Sequence, residues 1–397
     1  VLSRKIYGKD LVYFDNAATS QRPQSVIDEW NRITCESNAN IHRAVHKLAD
    51  EATQAYEQAR DIVKDFINAE FREEIIFTSG TTASVNLAAF CFGEAYIKEG
   101  DEVIVTEAEH HSNIVPWQMM CRRKGAILKV LPIDDSGHLI IDELDSLITG
   151  RTRIMAVTHI SNVLGIVNPV KDIVEKCHSK GVAVLVDGAQ GAVHCKVDVR
   201  DMDCDFYVFS GHKLYAATGT GVLYGKKKWL ENMPPYMGGG EMVGTVKFSG
   251  TTYAPLPMKY EAGTQNFASA ATLKPAIELL NILNDNNLEE YNNSIKDYLL
   301  NILINDERIR LYGVPRGTSE EKIPLFSFTV KGIHHEDLAL ILDKMGIAVR
   351  SGQMCAEPLM DRFGVTGMLR ISLAPYNTMQ EAEYFVKCLN KAIDMLI

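Results

Sequence analysis

VAVLVDGAQ, residues 182–190, and FYVFSGHK, residues 206–213, are the stretches on which the reading of this chain turns. The first is a β-branched run, Val182 to Val186, that ends in Asp187, and such a run reads as a parallel strand covered on both faces. The second is a shorter apolar run that delivers Ser210, His212 and Lys213 at its end. Taken alone, a lysine ending a strand marks only the water boundary, and an aspartate before Gly188 caps a turn. Together they carry more, because in open α/β sheets ligands collect beyond the carboxyl ends of the strands. Both residues sit there.

Working outward, EEIIFTSGTTASVNLAAF reads as a strand, Ile75 to Thr78, then a small-residue loop and a helix, with Thr81 or Thr82 as its N-cap. Such a junction aims unpaired N–H groups and the positive end of the helix dipole at one point, which suits a phosphate. Two more strand ends follow the same plan. Val103 to Thr106 leads to His110 and His111, and Ile154 to Val157 leads to His159, Ser161 and Asn162. A lysine amine, a buried carboxylate and a phosphate cradle are what pyridoxal phosphate requires: an amine for its Schiff base and a carboxylate to keep the pyridine nitrogen protonated. An imidazole can stack on that ring, and Asn162 with Gln190 can donate to its phenolate oxygen. No C-x-x-C or other usual ligand spacing accompanies the histidines, so no metal site is expected.

Beyond these segments the chain carries YFDNAAT (13–19), NIHRAVH (40–46), EHHSNIVPW, HISNVLG, EAGTQN, RSGQMCAEP and LRISLAPYNT. With TSGTT, VDGAQ and FSGHKLY, this set resembles the class V, fold-type I pyridoxal phosphate enzymes over nearly the whole length, and most of all the group II, SufS-type cysteine desulfurases. The resemblance implies an α/β fold: a large domain with a mostly parallel seven-stranded sheet between helices, residues 22–270, and a smaller α+β domain made of residues 1–21 with 271–397. It implies Lys213 as the Schiff-base lysine, Asp187 as the pyridinium partner, and His110 stacked on the ring. Asn162 and Gln190 would reach the phenolate oxygen. Thr81, Thr82, Ser210 and His212 would hold the phosphate, joined by Thr264 from the second subunit of a homodimer.

Cys355, between Gly352 and Pro358, falls in a segment of turn-forming residues that reads as a loop after the strand IAVR. Of eight cysteines it alone is placed like a nucleophile. Cys91, Cys121, Cys177 and Cys388 fall in helix-like stretches, Cys195 and Cys204 flank a strand connection, and Cys35 reads as part of an early loop. Arg370 lies in an apolar stretch where an unpaired guanidinium is costly, so it calls for a carboxylate partner. The resemblance implies that Cys355 forms a persulfide and that Arg370 binds the carboxylate of L-cysteine, with Arg350, Asn162, His42 and Arg43 bordering the pocket. The implied reaction converts L-cysteine to L-alanine and hands sulfur to an acceptor of the SufE or SufU type for Fe-S cluster assembly. Alternatives are selenocysteine lyase, with L-selenocysteine as substrate, or another class V lyase or aminotransferase. A cofactor-bearing scaffold without activity is disfavoured by the joint presence of Lys213, Asp187, Arg370 and Cys355.

The chain departs from the group's pattern at three places. Ala83 and Ser84 stand where a glutamate is usual, Ala216-Ala217 where Gly-Pro is usual, and Gln353-Met354 where His-His is usual before the cysteine. Composition agrees with a soluble enzyme: 397 residues, 46% hydrophobic and 23% charged. A chain of this size buries about three-quarters of its unfolded surface. Neither a signal-like apolar opening nor an apolar stretch of membrane length is evident, so a cytoplasmic protein without membrane partners is expected. Eight cysteines without a repeating frame suit reduced thiols. A formal charge of -10 argues against nucleic acid. The run Gly238 to Gly240 reads as a turn, since no strand-to-helix frame surrounds it.

Overall fold

The computed structural model describes residues 1–285, 288–317 and 321–397. Seven strands form the main sheet: β1 (Ile75–Thr78), β2 (Glu102–Thr106), β3 (Ile127–Leu131), β4 (Thr152–Thr158), β5 (Ala183–Asp187), β6 (Phe206–Ser210) and β7 (Gly221–Gly225). Their order is β1-β7-β6-β5-β4-β2-β3. All pairings are parallel except those of β7, which runs antiparallel to β1 and to β6. Every residue of β2, β5, β6 and β7 is buried. This explains the near-continuous apolar runs, since helices cover both faces. The carboxyl ends of β1, β2, β4, β5 and β6 therefore meet along one edge.

The register of β7 shapes that edge. Gly221 lies opposite Thr78 on one side and Ser210 on the other. A methyl group at Gly221 would stand 2.4 Å from the Cα of Gly80. Only glycine lets the loop after β1 close down on the end of β6.

A second sheet, antiparallel throughout, contains β8 (Ile309–Tyr312), β9 (Leu325–Val330), β10 (Arg350–Gly352) and β11 (Met368–Ser372) in the order β8-β9-β11-β10. The amino-terminal segment joins it from the other end of the chain: Val12–Tyr13 pairs in parallel with Ile347–Ala348, and Val12 and Phe14 share a core with Phe326, Phe328, Ile371 and Phe385. The last helix, Met379–Leu396, packs on that core through Ala382, Phe385, Leu389 and Ile393 and opens with a capping box between Thr378 and Glu381.

Three local expectations change. Cys35 is exposed on the helix Gln24–Glu36 rather than in a loop, because that stretch buries Val26 and Ile33 at helical spacing. The start of RSGQMCAEP is strand β10, so the loop proper begins after Gly352. The helix-like stretch 270–304 is divided: helices Phe267–Ala271, Leu273–Asp285 and Leu288–Asn305, with positions 286 and 287 outside the described residues.

Gly221→Ala is expected to lower stability by about 1–3 kcal/mol through overpacking against the Gly80 backbone. Gly238→Ala, where the added methyl meets no atom within 4 Å, should shift stability by less than about 0.5 kcal/mol. Urea denaturation midpoints of the two variants, compared with the parent chain, decide between these outcomes.

Candidate active site

Lys213 follows β6 and Asp187 ends β5, on adjacent parallel strands. The Lys213 side chain keeps some contact with solvent, yet enough protein surrounds its ammonium that burial pushes it down to about 8. Asp187 opposes that shift, while the cation of Arg370 adds to it. Burial in turn raises the Asp187 carboxyl, against the pull of the Ala189 N–H and of Lys213. Asp187 Oδ1 accepts from Ala189 N at 2.9 Å, so the aspartate does cap its own turn. Its other oxygen has no hydrogen bond among the described residues.

His110 caps the short helical turn His111–Asn113 by accepting from the Ser112 N–H, and its Nδ1 lies 2.8 Å from Ser112 Oγ. Burial, followed by the nearby charge of Lys213, pushes it down to about 4, so the ring is neutral at physiological pH. Behind it sits a residue that pattern reading passed over. Glu109 is fully buried, is bonded to Thr106, Asn113 and the Thr158 N–H, and is pushed up to about 8 by burial. It ties the ends of β2 and β4 together. The only sequence signal for it is its position directly before His110.

At the phosphate cradle, the helix Thr81–Tyr96 has Gly80 as its N-cap, with no side chain capping it, and Thr81 is already its first residue. The expected threonine cap is corrected: Gly80 takes φ +149°, a backbone conformation that residues with side chains rarely adopt. Thr81 donates its N–H to Ser210 Oγ at 2.8 Å, and the two hydroxyls lie 2.7 Å apart. Thr82 is exposed one residue further on. His212, half-buried, is pushed down to about 4 by burial and by Lys213. Thr264 is exposed and lines a hollow with Thr78, Ser79, Ala83 and Thr220.

Arg370, on β11, is buried. Its Nη1 donates to Asn162 O at 2.8 Å, its Nη2 pairs with Asp15 at 3.2 Å, and its Nε has no partner among the described residues. The expected carboxylate is thus partly supplied by the chain itself, from the YFDNAAT segment. Asp15 also pairs with the exposed Arg350 at 3.0 Å. Asn162 donates its amide to Met354 O at 2.9 Å, and Gln190 donates to Ala17 O at 2.9 Å. Each of these amides retains a second N–H. Cys355 is exposed in the next turn, close enough for its charge to act on Lys213 and Arg370.

His42 and Arg43 do not join this group within one chain. His42 pairs with Glu57 at 3.0 Å and Arg43 with Glu241 at 2.6 Å. Glu57 belongs to a separate buried network in which Arg60 bridges Glu57 and Glu261. Within one chain they lie apart from Arg370, because they lead into the helix Lys47–Phe66, which faces that network.

The residues present fit pyridoxal phosphate. An amine of lowered basicity faces a buried carboxylate with an oxygen to spare. A helix start without a side-chain cap sits beside Ser210, and a neutral imidazole lies near Lys213. No group of histidine, cysteine, aspartate or glutamate among the described residues could hold a metal ion. No helix among them is long and apolar enough to cross a membrane.

Comparison with known proteins agrees with this chemistry. Residues 12–385 match the family described as aminotransferase class-V, so the chain belongs to that family of pyridoxal phosphate enzymes. Its relatives there are cysteine desulfurases. It is 45% identical to the cysteine desulfurase of Cronobacter sakazakii over 97% of this chain and 94% of that one. It is 44% identical to a probable cysteine desulfurase of Vibrio cholerae over 100% and 96%. Among solved structures, the cysteine desulfurase CsdA of Escherichia coli superposes with a TM-score of 0.91 at 40% identity, covering 98% of this chain and 96% of the other. The apo cysteine desulfurase of Thermococcus onnurineus gives 0.92 at 33% identity over the full length of both.

Only a neutral amine adds to an aldehyde, and burial brings the neutral form of Lys213 within reach near neutral pH. The rate at which pyridoxal phosphate combines with the cofactor-free protein should rise about tenfold per pH unit up to about 8 and level off above it. Asp187→Asn removes a charge that favours the ammonium, so its plateau should begin at lower pH. Stopped-flow absorbance across pH 6 to 10 measures both, and a break near the ordinary lysine value would contradict the assignment.

Proposed function

We propose that this chain is a cysteine desulfurase that converts L-cysteine to L-alanine and collects the sulfur as a persulfide on Cys355. The observation that carries the reading is the convergence of Lys213, Asp187, Arg370 and an exposed Cys355 on one edge of the sheet. Lys213 anchors the cofactor and, once released, its neutral amine takes the proton from the substrate α-carbon. Pyridoxal phosphate supplies an electron sink for the charge that develops there. Asp187 holds a proton on the pyridine nitrogen through its free oxygen, and neutral His110 presents a flat ring to stack against the cofactor. Ser210, Thr81, Thr82 and His212 take the phosphate.

Arg370 binds the substrate carboxylate through its unpartnered Nε, with Asp15 and the Asn162 carbonyl fixing the guanidinium plane. Cys355 attacks as thiolate at the substrate sulfur. An S–S bond forms as the substrate C–S bond breaks. The electron pair of that bond passes to the β-carbon, which is protonated, and a proton returns to the α-carbon to give alanine.

The exposure of Cys355 supports delivery of its sulfur to an acceptor protein of the SufE or SufU type, for Fe-S cluster assembly in the cytoplasm. Thr264 and Arg43 are exposed and His42 is partly exposed, and a homodimer would let them complete the site of a second copy. L-selenocysteine carries the same carboxylate and amine, so selenocysteine lyase activity belongs to the same reading.

A single turnover of the cofactor-loaded protein with L-cysteine, without reductant, should add one sulfur to Cys355 by intact-protein mass spectrometry and release matching alanine. Cys355→Ala should lose turnover while keeping the cofactor's visible absorbance. Lys213→Ala should lose both. Alanine formed without a sulfur adduct would assign instead a lyase that bypasses Cys355.

A further inference from the structure

The loop that carries Cys355 is held in an unfavourable backbone shape. Met354 and Cys355 are consecutive, both bear side chains, and both take left-handed conformations, with φ of +53° and +54°. Left-handed backbone is disfavoured for residues with side chains, and a pair persists only where the surroundings over-determine it. Here they do. The His111 N–H donates to Cys355 O at 2.7 Å, the Glu357 N–H donates to His111 Nε2 at 3.0 Å, and Asn162 donates to Met354 O at 2.9 Å. Underneath, Met354, Ala356, Leu359 and Phe363 pack into the core of the large sheet.

His111 is thus bonded to the loop on both sides of Ala356, once with its main chain to Cys355 O and once with its ring to the Glu357 N–H. Because Nε2 accepts a main-chain N–H, the proton of the neutral ring resides on Nδ1. That lone pair is engaged and is not free to take the thiol proton. His111 is also joined directly to His110, whose electrostatic neighbours include Lys213 and Arg370. One short turn therefore spans from the cofactor side of the site to the nucleophile loop. Gln353 and Met354, the residues before Cys355, supply no imidazole of their own.

We infer that His111 is a positioning residue for sulfur transfer: by accepting the Glu357 N–H it holds the strained Cys355 loop in register with Lys213 and Arg370. This deepens the desulfurase reading and rests on it. It acts on the step in which Cys355 meets the substrate sulfur, and not on the earlier binding of cysteine at the cofactor.

The test compares His111→Ala, which loses the acceptor, with His111→Gln, whose amide oxygen can replace it, in the full-length cofactor-loaded protein. His111→Leu substitutes where the alanine variant does not fold. On mixing with L-cysteine, the first visible-absorbance change should stay within about twofold of the parent rate. Single-turnover persulfide formation on Cys355 should slow about five- to tenfold in the alanine variant, the effect of one net hydrogen bond. The glutamine variant should recover most of it. Without cysteine, amide hydrogen exchange in a peptide spanning residues 353–358 should be faster in the alanine variant than in the parent.

Unchanged persulfide and exchange rates would overturn the proposal. Slowing that glutamine fails to rescue, with exchange unchanged, would overturn it in favour of a proton-transfer role. Should the parent chain form no persulfide at all, the desulfurase reading falls, and the exchange comparison alone still decides whether His111 holds the loop.

Discussion

Asp187 and Lys213 are drawn away from bulk water at the ends of neighbouring parallel strands, and the large sheet is organised around that constraint. An isolated charge in such a place is strongly disfavoured, so each shifts toward neutrality, and each shift is opposed by the other. The backbone around Asp187 is packed tightly enough to hold it there. A methyl group on Gly188 would stand 2.1 Å from the Tyr207 ring, whose hydroxyl lies 3.0 Å from His159 Nδ1, and the His159 N–H donates to Asp187 O at 2.8 Å. Glu109 closes the arrangement from the β2 side as a carboxyl that burial tends to keep protonated. The result is a rigid floor whose polar groups have few ways to relax except toward a ligand.

The other half of the site comes from the second sheet, and carbonyl hydrogen bonds as well as apolar packing join it to the first. The loop 161–167 after β4 receives Ser327 Oγ at Val163 O at 2.5 Å, the Ile323 N–H at Gly165 O at 2.9 Å, and the buried Lys322 ammonium at Leu164 O. Asn162, in the same loop, accepts from Arg370 and donates to Met354 O. A single amide residue thus touches both the arginine that would bind substrate and the loop that carries the thiol. Displacement of the second sheet relative to the first would move all of these together, which is a reason for the joint to be built from many short bonds.

Much of this was legible beforehand. Strands β4, β5 and β6 were readable from apolar runs, and the residues just past their ends were readable as candidates because parallel strands place their carboxyl ends together. Cys355 stood out by its setting between Gly352 and Pro358. Less legible were Asp15, which pairs with an arginine 355 positions later, and Glu109, whose role depends on contacts from β4. His42 and Arg43 pair with Glu57 and Glu241 within one chain rather than with the Arg370 group, since a motif records which residues accompany one another and not which cavity they face. The threonine cap was misjudged for a local reason. Residue preference favours a hydroxyl at that position, but the cap takes φ +149°, a conformation that residues with side chains rarely adopt, which leaves it to glycine.

The amino-acid sequence alone determined the parallel-sheet architecture and the chemical kinds of group at its edge, because strand periodicity and the residue ending each strand are local properties of the chain. Tertiary structure alone decided how those groups are paired and charged: that Asp15 shares Arg370, that Asn162 reaches Met354, that Glu109 and His110 are held by burial near neutrality, and that His111 holds the Cys355 loop. Hydrogen bonds between segments hundreds of residues apart, and the loss of solvent around a titrating group, arise only when those segments pack together.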